Sequence, residues 1–222
     1  LLPVFDRPMV AYPIEALVSS GIDDVLLVTG GNSAGDFLRL LGNGRDSGLR
    51  HLEYTYQEGE GGIAEALALA EDFAEGGRIC VILADNIFQY SIRSVVEAYR
   101  EQESGARILL KDVPDPGRFG VAELDGDMVV GIQEKPKDPK TSMAVVGVYM
   151  YDARVFDIIK GLAPSERDEL EITDVNNRYI ERNELEYGIV EGWWTDAGTF
   201  PSLHRAANLV AEGGANLAHP GG

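Results

Sequence analysis

A single cysteine, Cys80, leaves no intrachain disulfide to form, and inside a strand-like apolar run it reads as packing rather than as a catalytic thiol. Histidine is as scarce: His51, His204 and His219 stand far apart without metal-ligand spacing, which leaves zinc without support. No apolar run approaches the length of a membrane-spanning helix, so the reading is a cytoplasmic protein with no membrane partner. Positive charge is short, with 19 Lys and Arg against 37 Asp and Glu for a net charge of −18. A surface-wide attraction to nucleic acid is thereby excluded. A polyanionic ligand needs local help from placed Lys or Arg, from backbone amides at a helix start, or from a divalent metal that offsets the surrounding acids, and the metal is expected.

What is present is ordinary for a globular chain: 222 residues, 45% apolar and 25% charged, enough for one large domain or two small ones. The stretch Val81-Ile82-Leu83-Ala84-Asp85-Asn86-Ile87-Phe88 reads as a strand buried on both faces that stops at a carboxylate. In open α/β sheets ligands bind at the C-terminal strand edge, which makes Asp85 a candidate; it could equally cap a helix beginning near Ser91. Upstream, a helix is expected from Arg7-Pro8-Met9 to Gly21, kinked at Pro13, followed by a buried strand 25–29 and a helix opened by Ser33. A strand 52–57 and a helix from Ile63 to Phe73 precede the central run, and Ile92, Val95, Val96 and Tyr99 form one face of a helix after it. From Arg107 the rhythm shortens to strands 107–113, 119–124, 128–134 and 144–151, with Asp125-Gly126 as a hairpin signal. Helices from Ala153 and from Thr173, a strand near 185–191 and a helix from about Thr199 close the chain, and the Gly- and Ala-rich residues 213–222 read as a flexible tail.

Three further loops concentrate reactive residue types: Glu134-Lys135-Pro136, Arg167-Asp168-Glu169-Leu170-Glu171 and Trp194-Thr195-Asp196-Ala197-Gly198. Singly, each has a structural reading, as a salt-bridged turn, a solvated helix start and an N-cap. Together with Leu1 to Met9, Gln57 to Ala66, Ala84 to Phe88, Arg118-Phe119-Gly120-Val121 and Glu169-Leu170-Glu171-Ile172-Thr173-Asp174, they stand in the order and spacing of glucose-1-phosphate thymidylyltransferases. The chain resembles that group, within the sugar-1-phosphate nucleotidylyltransferases, from residue 1 to about 212.

The resemblance implies a single domain over 1–212, with a Rossmann-like three-layer α/β/α fold, a mixed, mostly parallel central sheet and a small β-rich sugar-binding part. It implies transfer of a nucleotidyl group from dTTP to glucose 1-phosphate by in-line attack, giving dTDP-glucose and pyrophosphate. Mg2+ is the implied cofactor, held by Asp85 and Asp196, a hard cation on oxygen ligands. Asp85, Asp196, Lys135 and Arg167 are the implied catalytic residues, Lys135 and Arg167 as contacts to the sugar phosphate. Gln57 and Gly62 match nucleobase contacts, with Asp85 also touching the nucleotide, and Asn86, Gly120, Glu134, Val145 and Tyr149 match sugar contacts. A homo-oligomer is implied. Phe119 stands where many relatives carry Tyr, and the family's Gly-rich, Arg-containing nucleotide loop has no counterpart before Leu1, where it is expected to be missing or disordered. A UTP-specific or other sugar-phosphate-specific transferase and a non-catalytic nucleotide-sugar-binding regulatory subunit are the alternatives.

Overall fold

Apolar runs punctuated by glycine set the strands, as a computed structural model describing residues 2–219 shows. The strands are β1 (Pro3–Val4), β2 (Arg7–Pro8), β3 (Asp24–Gly30), β4 (His51–Gln57), β5 (Ile79–Ile82), β6 (Asn86–Phe88), β7 (Ala106–Asp112), β8 (Gly120–Asp125), β9 (Met128–Glu134), β10 (Met143–Tyr151), β11 (Leu185–Ile189) and β12 (Trp194–Asp196). The helices are α1 (Ala11–Ser19), α2 (Ala34–Leu41), α3 (Ile63–Ala68), α4 (Glu71–Ala74), α5 (Arg93–Glu101), α6 (Val155–Lys160), α7 (Ile172–Ile180) and α8 (Phe200–Gly213). Among the described residues no helix is long and apolar enough to cross a membrane. The α/β class with a mixed sheet is as expected, and the chain divides into two compact units.

The first unit comprises the described parts of Leu1–Tyr56, Ile82–Ala98 and Val190–Gly222. The helix expected from Arg7 starts later. Phe5, at φ +54°, turns the chain so that Arg7 pairs back on Val4, and α1 begins only at Ala11. Pro13 then falls in the first turn, where its missing N–H costs no intrahelical bond and no kink is called for. Tyr12 is wholly buried and donates its hydroxyl to the Val4 carbonyl at 2.7 Å, in a core of Val4, Ile87, Ala197, Ala206 and Val210. A second cluster, Val10, Ile14, Leu41, Leu49 and Leu52, receives Val25 and Leu27 of β3. Antiparallel pairing of β12 with β6 sets Trp194 opposite Phe88, Thr195 opposite Ile87 and Asp196 opposite Asn86. The segment after Gly213 makes specific bonds: Asn216 donates to the Tyr12 carbonyl at 2.9 Å and Leu217 to the Gln89 carbonyl at 2.8 Å.

The second unit, Gln57–Val81 with Tyr99–Ile189, carries a six-stranded sheet ordered β11-β7-β10-β8-β9, with β5 also on β10. β11 runs parallel to β7, whereas β7, β8 and β9 join through antiparallel pairs. The hairpin between β8 and β9 turns on Gly126, at φ +58°, as the Asp-Gly signal implies. The expected buried strands β3 and β5 are only half-buried, because each has a single strand partner among the described residues and so keeps an open edge. The helix expected over 63–73 is interrupted, forming α3 and α4. Helix α7 is fastened to β9 by Asn177, whose amide exchanges two bonds of 3.0 and 2.9 Å with the backbone of Ile132.

Candidate active site

In the first unit the carboxylates of Asp85 and Asp196 are held by backbone pairing. Asp196 stands opposite Asn86 in the β12–β6 ladder, and the Ala197 N–H donates to the Asp85 carbonyl at 2.8 Å. Asn86, buried, links the two strands through its amide: it accepts from the Trp194 indole at 2.8 Å and donates to Asp85 Oδ1 at 2.8 Å. Desolvation raises the pKa of Asp85, the Asn86 donor partly offsets this, and the negative charge of Asp196 raises it again. Neither acid is a helix cap. Strand β6 intervenes between Asp85 and α5, whose start is served by Ser91 Oγ, while α8 is capped by Thr199 and Ser202 in a reciprocal box. Arg205 lies 3.8 Å from Asp196 and donates to Thr195 Oγ1 at 3.1 Å. A Cβ at Gly198 would come within 2.7 Å of Asp85 Oδ2, so glycine there keeps space around the carboxylate.

The second unit gathers the charged loops. Gly120 pairs with Glu134 across β8 and β9, and Thr173, on the first turn of α7, donates to Glu134 Oε2 at 2.5 Å. A Cβ on Gly120 would meet Thr173 Oγ1 at 3.3 Å and Glu134 Oε2 at 3.5 Å, so the absent side chain leaves a recess beside these oxygens. Lys135 follows at φ +39°, its N–H bonded to the Phe119 carbonyl and its half-exposed ammonium 3.8 Å from Glu134. Arg167 grips Glu171 with three bonds, 2.8 Å to Oε2 and 2.9 and 3.1 Å to Oε1, and lies 3.1 Å from Glu169 and 3.6 Å from Glu134. Bonding to Glu171 raises the Arg167 pKa further above its ordinary value, so the guanidinium is a permanent cation.

The Gln57 amide donates to the Gly62 carbonyl at 3.1 Å and to Glu65 Oε2 at 2.6 Å. This loop is stitched to the acidic segment: Leu170 N–H donates to Gly61 O at 2.8 Å and Ala64 N–H to Leu170 O at 3.1 Å. At φ +96°, with a Cβ position 2.6 Å from the Leu170 carbonyl, residue 62 admits only glycine without rearrangement. Val145 and Tyr149 lie buried on β10, Val145 opposite Leu110 and Tyr149 stacked 6.2 Å from Tyr151. Thr173, Glu171, Glu169, Glu65, Trp194 and Arg205 were not singled out from sequence. All but Arg205 lie within the quoted stretches, but nothing local distinguishes a hydroxyl aimed at Glu134 from a solvated one.

The family described as nucleotidyl transferase matches residues 1–213. The chain belongs to that family. It is 42% identical over 95% of its length to a glucose-1-phosphate thymidylyltransferase of Neisseria gonorrhoeae, covering 74% of that protein. A solved structure from Bacillus anthracis, named provisionally as a glucose-1-phosphate thymidylyltransferase and holding a sucrose, superposes with a TM-score of 0.90 at 48% identity, covering 94% of this chain and 85% of that one. A UDP-glucose pyrophosphorylase complexed with UDP-glucose superposes at 0.83 with 21% identity over 95% of this chain and 89% of that one, which establishes the shared fold alone.

For a nucleotidyl transferase, the donor set at Asp85 and Asp196 fits a hard divalent cation: two adjoining carboxylates, with Asp85 pushed up mainly by desolvation and further by the charge of Asp196, and space kept by Gly198. Among the described residues there is no group of three or more Asp, Glu, His or Cys side chains that could hold a metal ion, so the two carboxylates are the candidate donors. A raised native pKa means that the folded state binds the Asp85 proton more tightly than the unfolded state does. Stability therefore falls as pH rises from the unfolded carboxylate range through the raised native pKa, and the full cost is borne above it. Asp85→Asn is expected to melt at or above the parent temperature at pH 7 without metal, the difference shrinking toward pH 4. A lower melting temperature at pH 7 would contradict this.

Proposed function

We propose that this protein transfers a thymidylyl group from dTTP to glucose 1-phosphate, giving dTDP-glucose and pyrophosphate. The observation that carries the reading is the pairing of β12 with β6, which sets Asp196 beside Asp85 in a chain 42% identical to a protein of that name. A phosphate oxygen of the sugar phosphate bonds to the α-phosphorus as the bond to pyrophosphate breaks, so no covalent enzyme intermediate and no redox partner is needed. Bringing two anions together is the physical difficulty, and placed charge answers it.

Asp85 and Asp196 would hold Mg2+. That ion supplies charge neutralisation and polarisation of phosphate oxygens. Lys135, as a mobile point charge, and Arg167, as a planar fork, bind and orient the sugar phosphate. Gln57 and Gly62 receive the base, the glycine backbone permitting close approach of a flat ring, with Asp85 also touching the nucleotide. Glu134 accepts from sugar hydroxyls in the recess left by Gly120, while Asn86, Val145 and Tyr149 complete the proposed sugar contacts. The reading carries with it a cytoplasmic location, where nucleoside triphosphates are made, and a homo-oligomeric state.

The test is pyrophosphate release by the full-length protein with dTTP and UTP against glucose, galactose and mannose 1-phosphates. The dTTP and glucose 1-phosphate pair is expected to exceed every other by about tenfold or more in kcat/KM. A preference for UTP or for another sugar would overturn the stated specificity, and no release with any pair would point to a regulatory nucleotide-sugar binder.

A further inference from the structure

We propose that Glu65 is a positioning residue that sets the direction of the Gln57 amide and so makes it read an imide N–H on a pyrimidine base. The inference rests on the reading of Gln57 as a base contact and adds what that contact selects. A glutamine amide is ambivalent: its NH2 offers two donors and its carbonyl two acceptor lone pairs, so a free glutamine side chain could pair with either face of a pyrimidine. Here the ambivalence is removed. One Nε2 hydrogen goes to the Gly62 carbonyl at 3.1 Å and the other to Glu65 Oε2 at 2.6 Å. The Gly62 carbonyl can only accept, so this side of the amide must be the NH2, whichever way the group is drawn. Both donors are spent, and Oε1 is what Gln57 has left to offer.

An acceptor matches N3–H of thymine or uracil and opposes N3 of cytosine, which is itself an acceptor. Two acceptors brought together without a proton between them leave both unpaired and desolvated, and sites that match a substrate N–H discriminate strongly against an analogue without it. Glu65 is placed for this by the local chain. It sits in the first turn of α3, whose start follows Gly61 and Gly62, and a side chain at residue 61 would run into its carboxylate. The backbone bonds between Gly61, Ala64 and Leu170 hold both ends of the loop that carries the pair. Thymine and uracil share the imide, so this device separates diones from cytosine and does not separate dTTP from UTP.

The experiment measures kcat and KM of the full-length protein for dTTP, UTP and dCTP at saturating glucose 1-phosphate, for Glu65→Ala, Glu65→Asp, Glu65→Gln and Gln57→Ala, with melting temperatures alongside. Glu65→Ala releases one N–H, which can turn to cytosine N3, and is expected to lower the dTTP to dCTP ratio of kcat/KM about tenfold, the loss lying in the KM for dTTP rather than in kcat. Glu65→Asp, one methylene shorter, should fall in the same direction and serves if the alanine variant does not fold. Glu65→Gln, whose carbonyl can still accept from Gln57, should restore most of the ratio, and the dTTP to UTP ratio should stay put throughout. A dTTP to dCTP ratio within twofold of the parent in folded Glu65→Ala or Glu65→Asp, while Gln57→Ala collapses it, overturns the role of Glu65 alone. An unmoved ratio in Gln57→Ala instead shows that Gln57 does not read the base, and the underlying assignment falls.

Discussion

Asp196→Asn is expected to reduce turnover by about a hundredfold or more while leaving the metal-free protein no less stable than its parent. The catalytic part follows from charge. If Asp85 and Asp196 share a divalent cation, one carboxylate fewer weakens that cation's hold and the neutralisation of the reacting phosphates, an effect worth several kcal/mol. The stability part follows from what Asp196 does otherwise. Its place in β12 is set by backbone pairing with β6, and the cap of α8 is Thr199. Its contact with Arg205 is 3.8 Å long and the Arg205 side chain is 55% exposed, so the ion pair contributes little. Losing the charge also removes one of the influences that raise the Asp85 pKa. A ligand at a hundred times its Kd stabilises the native state by about 2.7 kcal/mol, so magnesium with dTTP should raise the parent's melting temperature well above the variant's. Retained turnover, or an equal rise in both proteins, would remove Asp196 from the metal site.

Arg167→Ala is expected to lower kcat/KM for glucose 1-phosphate by about a hundred- to a thousandfold, mainly through sugar-phosphate binding, with the KM for dTTP changed less than threefold. The guanidinium is the cation surrounded by Glu134, Glu169 and Glu171, and the Glu171 side chain is only 10% exposed. Its removal leaves three carboxylates facing one another, Glu171 retaining the Ser165 hydroxyl at 2.7 Å. Their mutual repulsion is then no longer offset by a cation in the folded variant. With Arg167 itself 39% exposed, the stability deficit at pH 7 should be on the order of 1 kcal/mol. Arg167→Lys keeps the charge without the fork and should recover part of both losses. A purely structural clamp predicts the stability loss with both KM values unmoved, and that outcome would take Arg167 out of the substrate site.

How much of this was legible differs from residue to residue. Asp85 could be found directly, because an apolar run ending in an acid marks a strand edge. Asp196 could not be separated from an N-cap by its own surroundings; resemblance pointed to it, and the observed cap at Thr199 removes the alternative. Helix α1 starts later than the sequence predicts because a proline near a helix start and a proline in a two-residue strand look alike in sequence, and only the pairing of Val4 with Arg7 separates them. The single helix expected over 63–73 was a statement about propensity, and the chain breaks it after Ala68.

By itself the sequence determined what depends on near neighbours and on totals. These are the strands with their glycine stops, the hairpin at Gly126, the anionic surface with its lack of thiol and imidazole chemistry, and the motifs that place the chain among the nucleotidyl transferases. The tertiary structure alone decided which distant groups share hydrogen bonds: Trp194 with Asn86 and Asn86 with Asp85, Thr173 with Glu134, and the two acceptors that exhaust the amide of Gln57. The reason is geometric. A hydrogen bond holds only over a few tenths of an ångström and a narrow range of angles, and between residues far apart in the chain both are set by strand register and helix docking, which no local pattern records.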